Sequence, residues 1–372
     1  MTLSSFLPLI WRCLCILAGI MAIQGIIAFH ELGHWLFCKL FGIRTPSFSI
    51  GFGPRLWSKK IGETTFAFSA IPLGGYVEIA GVEEVGQGDQ KDAFAKDPGS
   101  FGQKPYYQKL LVLLGGILFN LIFAFAAFIG LWFTGMPKSL IFYPEYSIPV
   151  IEQVIKDSPA EKSGLKVGHK ILSFNNTPIN TTSELLDLVK SHKNQTVTLA
   201  VAEETAPINI TLEAHPHNPE WGYLGAFYQL TQPAKETSLF GAAKKSFKLL
   251  KDLVVRNAEG IANAFAKKSA EGMGGPLRLF AQTAESLHSG FAHLILLMAM
   301  ISIGLAVINL LPLPIFDGGQ IVTYTIEALI GRQLPEKVKY AIHLANVALL
   351  LVFILYISFK DSIYIWKTFF SK

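Results

Sequence analysis

The chain has 372 residues, of which 51% are hydrophobic and only 16% charged, and its formal net charge is +5. Soluble domains carry nearer a quarter charged residues, so this composition points to a membrane protein, and so small a positive excess argues against a nucleic-acid partner. Cys13, Cys15 and Cys38 all lie in or at the end of the first apolar segment, an odd count that excludes a disulfide framework.

Four segments are apolar for the roughly 20 residues that a bilayer crossing needs: 7–29, 107–134, 287–311 and 340–359. The first starts without a charged region, contains Arg12 and is followed by no small-x-small cleavage site. It is expected to stay as a helix rather than leave as a signal peptide. Lys39, Arg44, Arg55, Lys59, Lys60, Lys104 and Lys109 flank the first two spans, and Arg332, Lys337 and Lys339 lie between the last two. By the positive-inside rule both loops are cytoplasmic, which puts both termini and the long segment 135–286 outside.

Segment 46–80 alternates like several short strands separated by Gly and Pro turns. It reads as a small sheet dipping into the membrane, with a free edge that could take an extended peptide as an added strand. Residues 146–230 alternate strands with two short helices and resemble a PDZ domain of the bacterial, circularly permuted kind. "SPAEKSGLKVGHKI" is the most specific stretch, with His169 where such sequences usually have Asp. Residues 236–270 carry Phe240, Ala243, Phe247, Leu250 and Val254 at helical spacing, with Lys244, Lys245, Lys248 and Lys251 on the other side. That pattern suits an amphipathic helix on a membrane surface, or equally one packed on the neighbouring domain. The domain plan is therefore 1–134 with the first two spans and the sheet, 146–230, 236–270, and 285–372 with the last two spans.

The chemistry is concentrated in His30-Glu31-Leu32-Gly33-His34, placed in an apolar, aromatic run where ionisable groups are costly. On a helix, residues four apart share a face, so both imidazoles can reach one zinc ion and Glu31 stands beside it as general base. Zinc needs a third protein ligand and an open position. Cys38 continues the same four-residue spacing, but three successive steps climb the helix and cannot easily surround one ion. A second segment is needed. "NLLPLPIFDGG", residues 309–319, has two prolines that break the third span and one acid, Asp317. His30 lies about 23 residues from the outer end of its span and Asn309 about 22 from the outer end of the third, so at ~1.5 Å per residue the two motifs reach nearly the same depth.

These motifs resemble the bacterial site-2 protease family, the RseP-like intramembrane zinc metalloproteases. The matching residues are His30, Glu31 and His34, the Asn309-x-x-Pro312-x-Pro314-x-x-Asp317-Gly318 stretch, Gly115-Gly116-x-x-x-Asn120, and Gly274-Gly275-Pro276. The resemblance covers nearly the whole chain, and it departs from enterobacterial members in having room for one inserted domain rather than two.

The expectation is a polytopic α-helical membrane protein with four spans, a small membrane-associated β-sheet and an inserted α+β PDZ-like domain. It would be a zinc metalloendopeptidase of the bacterial inner membrane. Its metal would be held by His30, His34 and Asp317, with Glu31 catalytic and Asn309 binding substrate backbone, as the resemblance implies. The partners implied are the lipid bilayer and single-pass membrane proteins, such as anti-sigma factors or remnant signal peptides. The alternative is a membrane-anchored zincin that cleaves soluble or misfolded proteins at the cytoplasmic face.

Overall fold

The computed structural model describes residues 3–82, 90–93, 95–202, 204–216, 218–267, 282–283, 286–313 and 315–332, with scattered positions from 334 to 362. It divides into two compact units, one made of Met1–Phe133 with Glu236–Lys372 and the other of Thr134–Lys235.

In the first unit, α1 (Leu3–Leu40) runs unbroken through the His-Glu motif. It ends because Gly42 takes a left-handed φ of +62°. Ile43 N–H then donates to Cys38 O at 2.8 Å and Gly42 N–H to Lys39 O at 3.2 Å. This paired closure satisfies carbonyls that the last turn would leave bare. The second helix is α2 (Tyr106–Thr134). Among the described residues, Leu17–Leu40, Tyr106–Thr134 and Phe291–Asn309 are long and apolar enough to cross a membrane. Together with the small sheets, these helices give the architecture of a polytopic membrane protein. Most of the expected fourth span, 340–359, and all of Gly274-Gly275-Pro276 lie outside the described residues.

Between α1 and α2 stand two long strands, β1 (Ser47–Ile61) and β2 (Thr64–Glu78). Ser47–Ile50 pairs with Thr65–Phe68 on one side and with Glu78–Gly75 on the other, while Arg55–Ile61 pairs back along β2. The bend in β1 falls at Gly51 and Gly53, whose φ values of +88° and +82° only glycine adopts cheaply. The sheet expected over 46–80 is therefore present, folded into four rows from two strands. Gln24 of α1 ties it down. Its Nε2 donates to Gly74 O and its Oε1 accepts from Gly74 N–H, both at 3.0 Å. The loop that follows is held to the end of α1 by Arg44, whose Nη2 donates to Asp97 Oδ2 at 2.8 Å. That hydrogen bond holds the Asp97 carboxyl down at about 2.

The second unit is a small α+β body. It comprises β3 (Ser147–Val154), α3 (Pro159–Lys162), β4 (Ile171–Phe174), β5 (Thr177–Pro178), α4 (Thr182–Ser191), β6 (Thr196–Val201), β7 (Ile208–Thr211), β8 (Glu213–His215), β9 (Asn218–Tyr223) and β10 (Ala226–Leu230). Strands pair in the orders β10-β3, β5-β4-β6-β7 and β8-β9. Its core gathers Ile151, Ile171, Phe174, Leu185, Leu199 and Ile210, the inward set of the alternating strands with one face of α4. A capping box starts α4, with Glu184 N–H donating to Thr181 Oγ1 and Thr181 N–H to Glu184 Oε2.

The chain re-enters the first unit through α5 (Leu239–Lys267), which packs against α6 (Phe291–Asn309). The buried face of α5 holds Ala242, Ser246 and Leu253, while Phe240 and Phe247 are exposed. The two phenylalanines expected on its apolar side thus do not form its packed face. A sharp break follows α6, and α7 (Asp317–Ile330) begins a separate helix.

Candidate metal centre

Two helices bring His30, His34 and Asp317 together. The four-residue spacing on α1 stacks both imidazoles on one face, and Asp317 occupies the first turn of α7, where a negative charge suits the helix N-terminus. Gly318 is required beside it, since a Cβ there would lie 2.6 Å from the Leu311 carbonyl oxygen. His30 Nε2 lies 3.3 Å from Asp317 Oδ2, His34 Nε2 3.5 Å from Asp317 Oδ1, and the two Nε2 atoms 3.1 Å apart. One ligand atom from each residue falls within 4.8 Å of the others.

The close fit rests on glycine. A Cβ on Gly115 would come 2.8 Å from Gly33 O, and one on Gly116 would come 2.7 Å from His30 Nε2 and closer still to His34 Nε2. Only bare backbone lets α1 and α2 approach this far, as small residues do between helices in lipid. The approach carries His34 Nδ1 to 2.8 Å from Val112 O. Nδ1 must donate there, which leaves the Nε2 lone pair facing the cluster. His30 Nδ1 meets the side-chain amide of Asn120 at 3.1 Å.

The donor set fits a metal. Asp317 Oδ2 is buried with only His30 Nε2 beside it, at 3.3 Å and without hydrogen-bond geometry, an expensive state for a carboxylate unless a cation lies against it. Two imidazoles and one carboxylate suit zinc, and three protein ligands leave one tetrahedral position open.

Of the other sequence candidates, Glu31 and Asn309 line the same cavity of about 310 Å³ as the three clustered residues. Glu31 sits beside Gly75, where an added Cβ would lie 3.8 Å from its Cγ. Cys38 is buried elsewhere, among Ile43, Phe101, Val112 and Leu113. The sequence reading missed that Phe52, Tyr76, Val77 and Leu305 wall this cavity. It also missed Gln24, whose signal was an amide in an otherwise apolar run.

Two buried histidines on a helix of membrane-crossing length, clustered with one carboxylate and sharing a cavity with another, make this a candidate metallohydrolase site. The chain belongs to Peptidase family M50, whose pattern matches residues 18–353. It is 32% identical to a protein of Fusobacterium nucleatum provisionally named a zinc metalloprotease, over 93% of this chain and 97% of that one. It is 30% identical to a Nostoc protein with the same provisional name, covering 93% and 95%. The zinc metalloprotease RasP of Geobacillus kaustophilus shares 25% identity over 93% of this chain and 97% of its own length.

Proposed function

We propose that this chain is an intramembrane zinc metalloprotease that hydrolyses peptide bonds within transmembrane segments of membrane proteins. The supporting observation is that the clustered His30, His34 and Asp317 share one cavity with Glu31, and that both histidines lie on a helix of membrane-crossing length. His30, His34 and Asp317 would hold zinc, as in the relatives' names. Zinc held there would supply a Lewis acid for the scissile carbonyl and would make a nearby water more acidic. Glu31, in the same cavity, would take a proton from the attacking water and return it to the leaving amine. Asn309, at the end of α6, offers an amide to the substrate backbone.

A membrane-spanning substrate must be unwound before its peptide bond can be reached. The Gly75–Glu78 row of β2 has a strand partner on one side only among the described residues, and Gly75, Tyr76 and Val77 line the cavity. An extended peptide laid along this row would satisfy its own backbone groups as an added strand, inside a medium that supplies no water to do so. The same reading places the protein in a bacterial cytoplasmic membrane, with the termini and the second unit outside. Phe240 and Phe247 on the exposed side of α5 suit contact with that membrane.

The test uses purified protein in liposomes with two substrates: a single-pass protein whose cleavable stretch is buried in the bilayer, and an unfolded soluble protein. Cleavage within the buried stretch, abolished by a zinc chelator and restored by zinc, is the expected result. Cleavage of the soluble protein alone would replace this reading with a zincin acting at the membrane face.

The second unit, read as PDZ-like, is proposed to control access rather than chemistry. Deleting residues 146–230 should make a substrate with a bulky external domain cleavable while leaving a short substrate cleaved as before. Slower cleavage of the short substrate, with no gain for the long one, would instead mark a site that captures C-termini.

A further inference from the structure

Asn120, in the middle of α2, and Ser302, in α6, are both fully buried between helices. Ser302 Oγ lies 2.9 Å from the backbone oxygen of Asn120 and 3.4 Å from its Oδ1, while Asn120 Nδ2 lies 3.1 Å from His30 Nδ1. A serine hydroxyl has one proton to give. Spent on the nearer acceptor, the backbone oxygen, it leaves Oγ and Oδ1 facing each other as two acceptors with nothing between them.

A half-turn of the amide exchanges oxygen and nitrogen at almost no change in shape, and the hydrogen-bond network decides between the two. In the turned orientation Nδ2 donates to Ser302 Oγ, Ser302 donates to the Asn120 backbone oxygen, and Oδ1 accepts from His30 Nδ1–H. Each of these three contacts then joins a donor to an acceptor. The two orientations also select different tautomers of His30. With Nδ2 donating to Nδ1, the imidazole proton must sit on Nε2, pointing at Asp317 and His34, where it blocks ligation. With Oδ1 accepting, the proton is on Nδ1 and the Nε2 lone pair faces the cluster. His34 gets the same setting from the Val112 carbonyl, a backbone group that substitution leaves in place. Only for His30 is the setting made by side chains.

We propose that Asn120, oriented by Ser302, is the positioning residue that fixes His30 in its metal-binding tautomer, so that α2 and α6 prepare the site on α1. The inference rests on zinc being the bound group, as proposed above.

The test measures zinc affinity directly, by competition with a chromophoric chelator. Losing an outer partner of a ligating histidine weakens metal binding roughly 10- to 100-fold, and Asn120→Leu should do so. Asn120→Asp keeps an acceptor at the same place and should restore affinity to within a few-fold of the unaltered protein. Ser302→Ala should weaken binding a few-fold, and should add nothing in the Asn120→Leu background, since both act through one chain of bonds. If Asn120→Leu does not fold, Ser302→Ala carries the test alone, and unchanged affinity in it overturns the proposal. Unchanged affinity in a folded Asn120→Leu, with a lower melting temperature in both the zinc-loaded and stripped forms, would show a helix clamp instead. Failure of Asn120→Asp to rescue overturns the proposal as well. An unaltered protein that binds no zinc would sink the proposed function first, whereas normal zinc binding with insensitive variants sinks this inference alone.

Discussion

Glu31→Gln should leave zinc bound at one ion per chain and cut proteolysis by at least ~10²-fold, the lower end of what a positioned general base contributes. Glutamine keeps the length and the hydrogen-bonding shape of the side chain but cannot accept the water's proton or carry it to the amine. The three clustered residues are untouched, because Glu31 is not among them and lies beside Gly75 on the sheet side of the cavity. Metal analysis and cleavage of a bilayer-embedded substrate, made on the same preparation, separate the two effects. Full activity in the metal-loaded variant would remove Glu31 from the chemistry and with it the proteolytic reading of the motif.

The parts of this site that were legible in the sequence are those where one physical rule decides the outcome. Helix periodicity alone puts His30 and His34 on one face, and rise per residue along the third span carries the motif that starts at Asn309 alongside them, into the cavity they line. Glycine is harder to read. Gly33, Gly115 and Gly116 set how near α1 and α2 come, yet an absent side chain leaves no periodic signal, and the consequence shows only once a Cβ is placed against the facing backbone. The prolines at 312 and 314 announced a break in the third apolar segment, but they could not tell whether the helix resumes on the same axis. In the structure Asp317 heads α7, a separate helix after α6 has stopped at Asn309.

In the second unit, several alternating strands were legible, and so was the helix α4, which was read as following Thr182 and starts there. The two-residue β5 and the β8–β9 pair were not, because β5 and β8 are too short to alternate and Pro219 and Gly222 interrupt β9. On α5 the helical spacing of the apolar residues was legible, but the spacing left open whether that side meets a membrane surface or a neighbouring domain. In a membrane protein, Phe240 and Phe247 can stay exposed without the penalty that places such residues inside a soluble core, so hydrophobicity alone does not name the packed side.

Asp317 and Cys38 give the second large effect, because they are rival third ligands. Asp317→Asn should lose zinc by more than the roughly 10- to 100-fold that loss of a mere outer partner costs, since it removes the charge that balances the ion and one of only three protein donors. Asparagine keeps the side chain's size at the head of α7, so the fold should survive while the metal leaves. Activity should follow the metal. Cys38→Ser should keep full zinc content, because the cysteine is buried among Ile43, Phe101, Val112 and Leu113 and is absent from the cavity that holds the cluster. Its cost should appear as stability, since a hydroxyl with no partner in an apolar cluster costs about 1–3 kcal/mol. Zinc per chain by elemental analysis, with melting temperature on the same samples, reads both variants. An emptied site in Cys38→Ser, beside normal zinc in Asp317→Asn, would mean that α1 supplies all the ligands and that the approach of α7 to the two histidines serves packing instead.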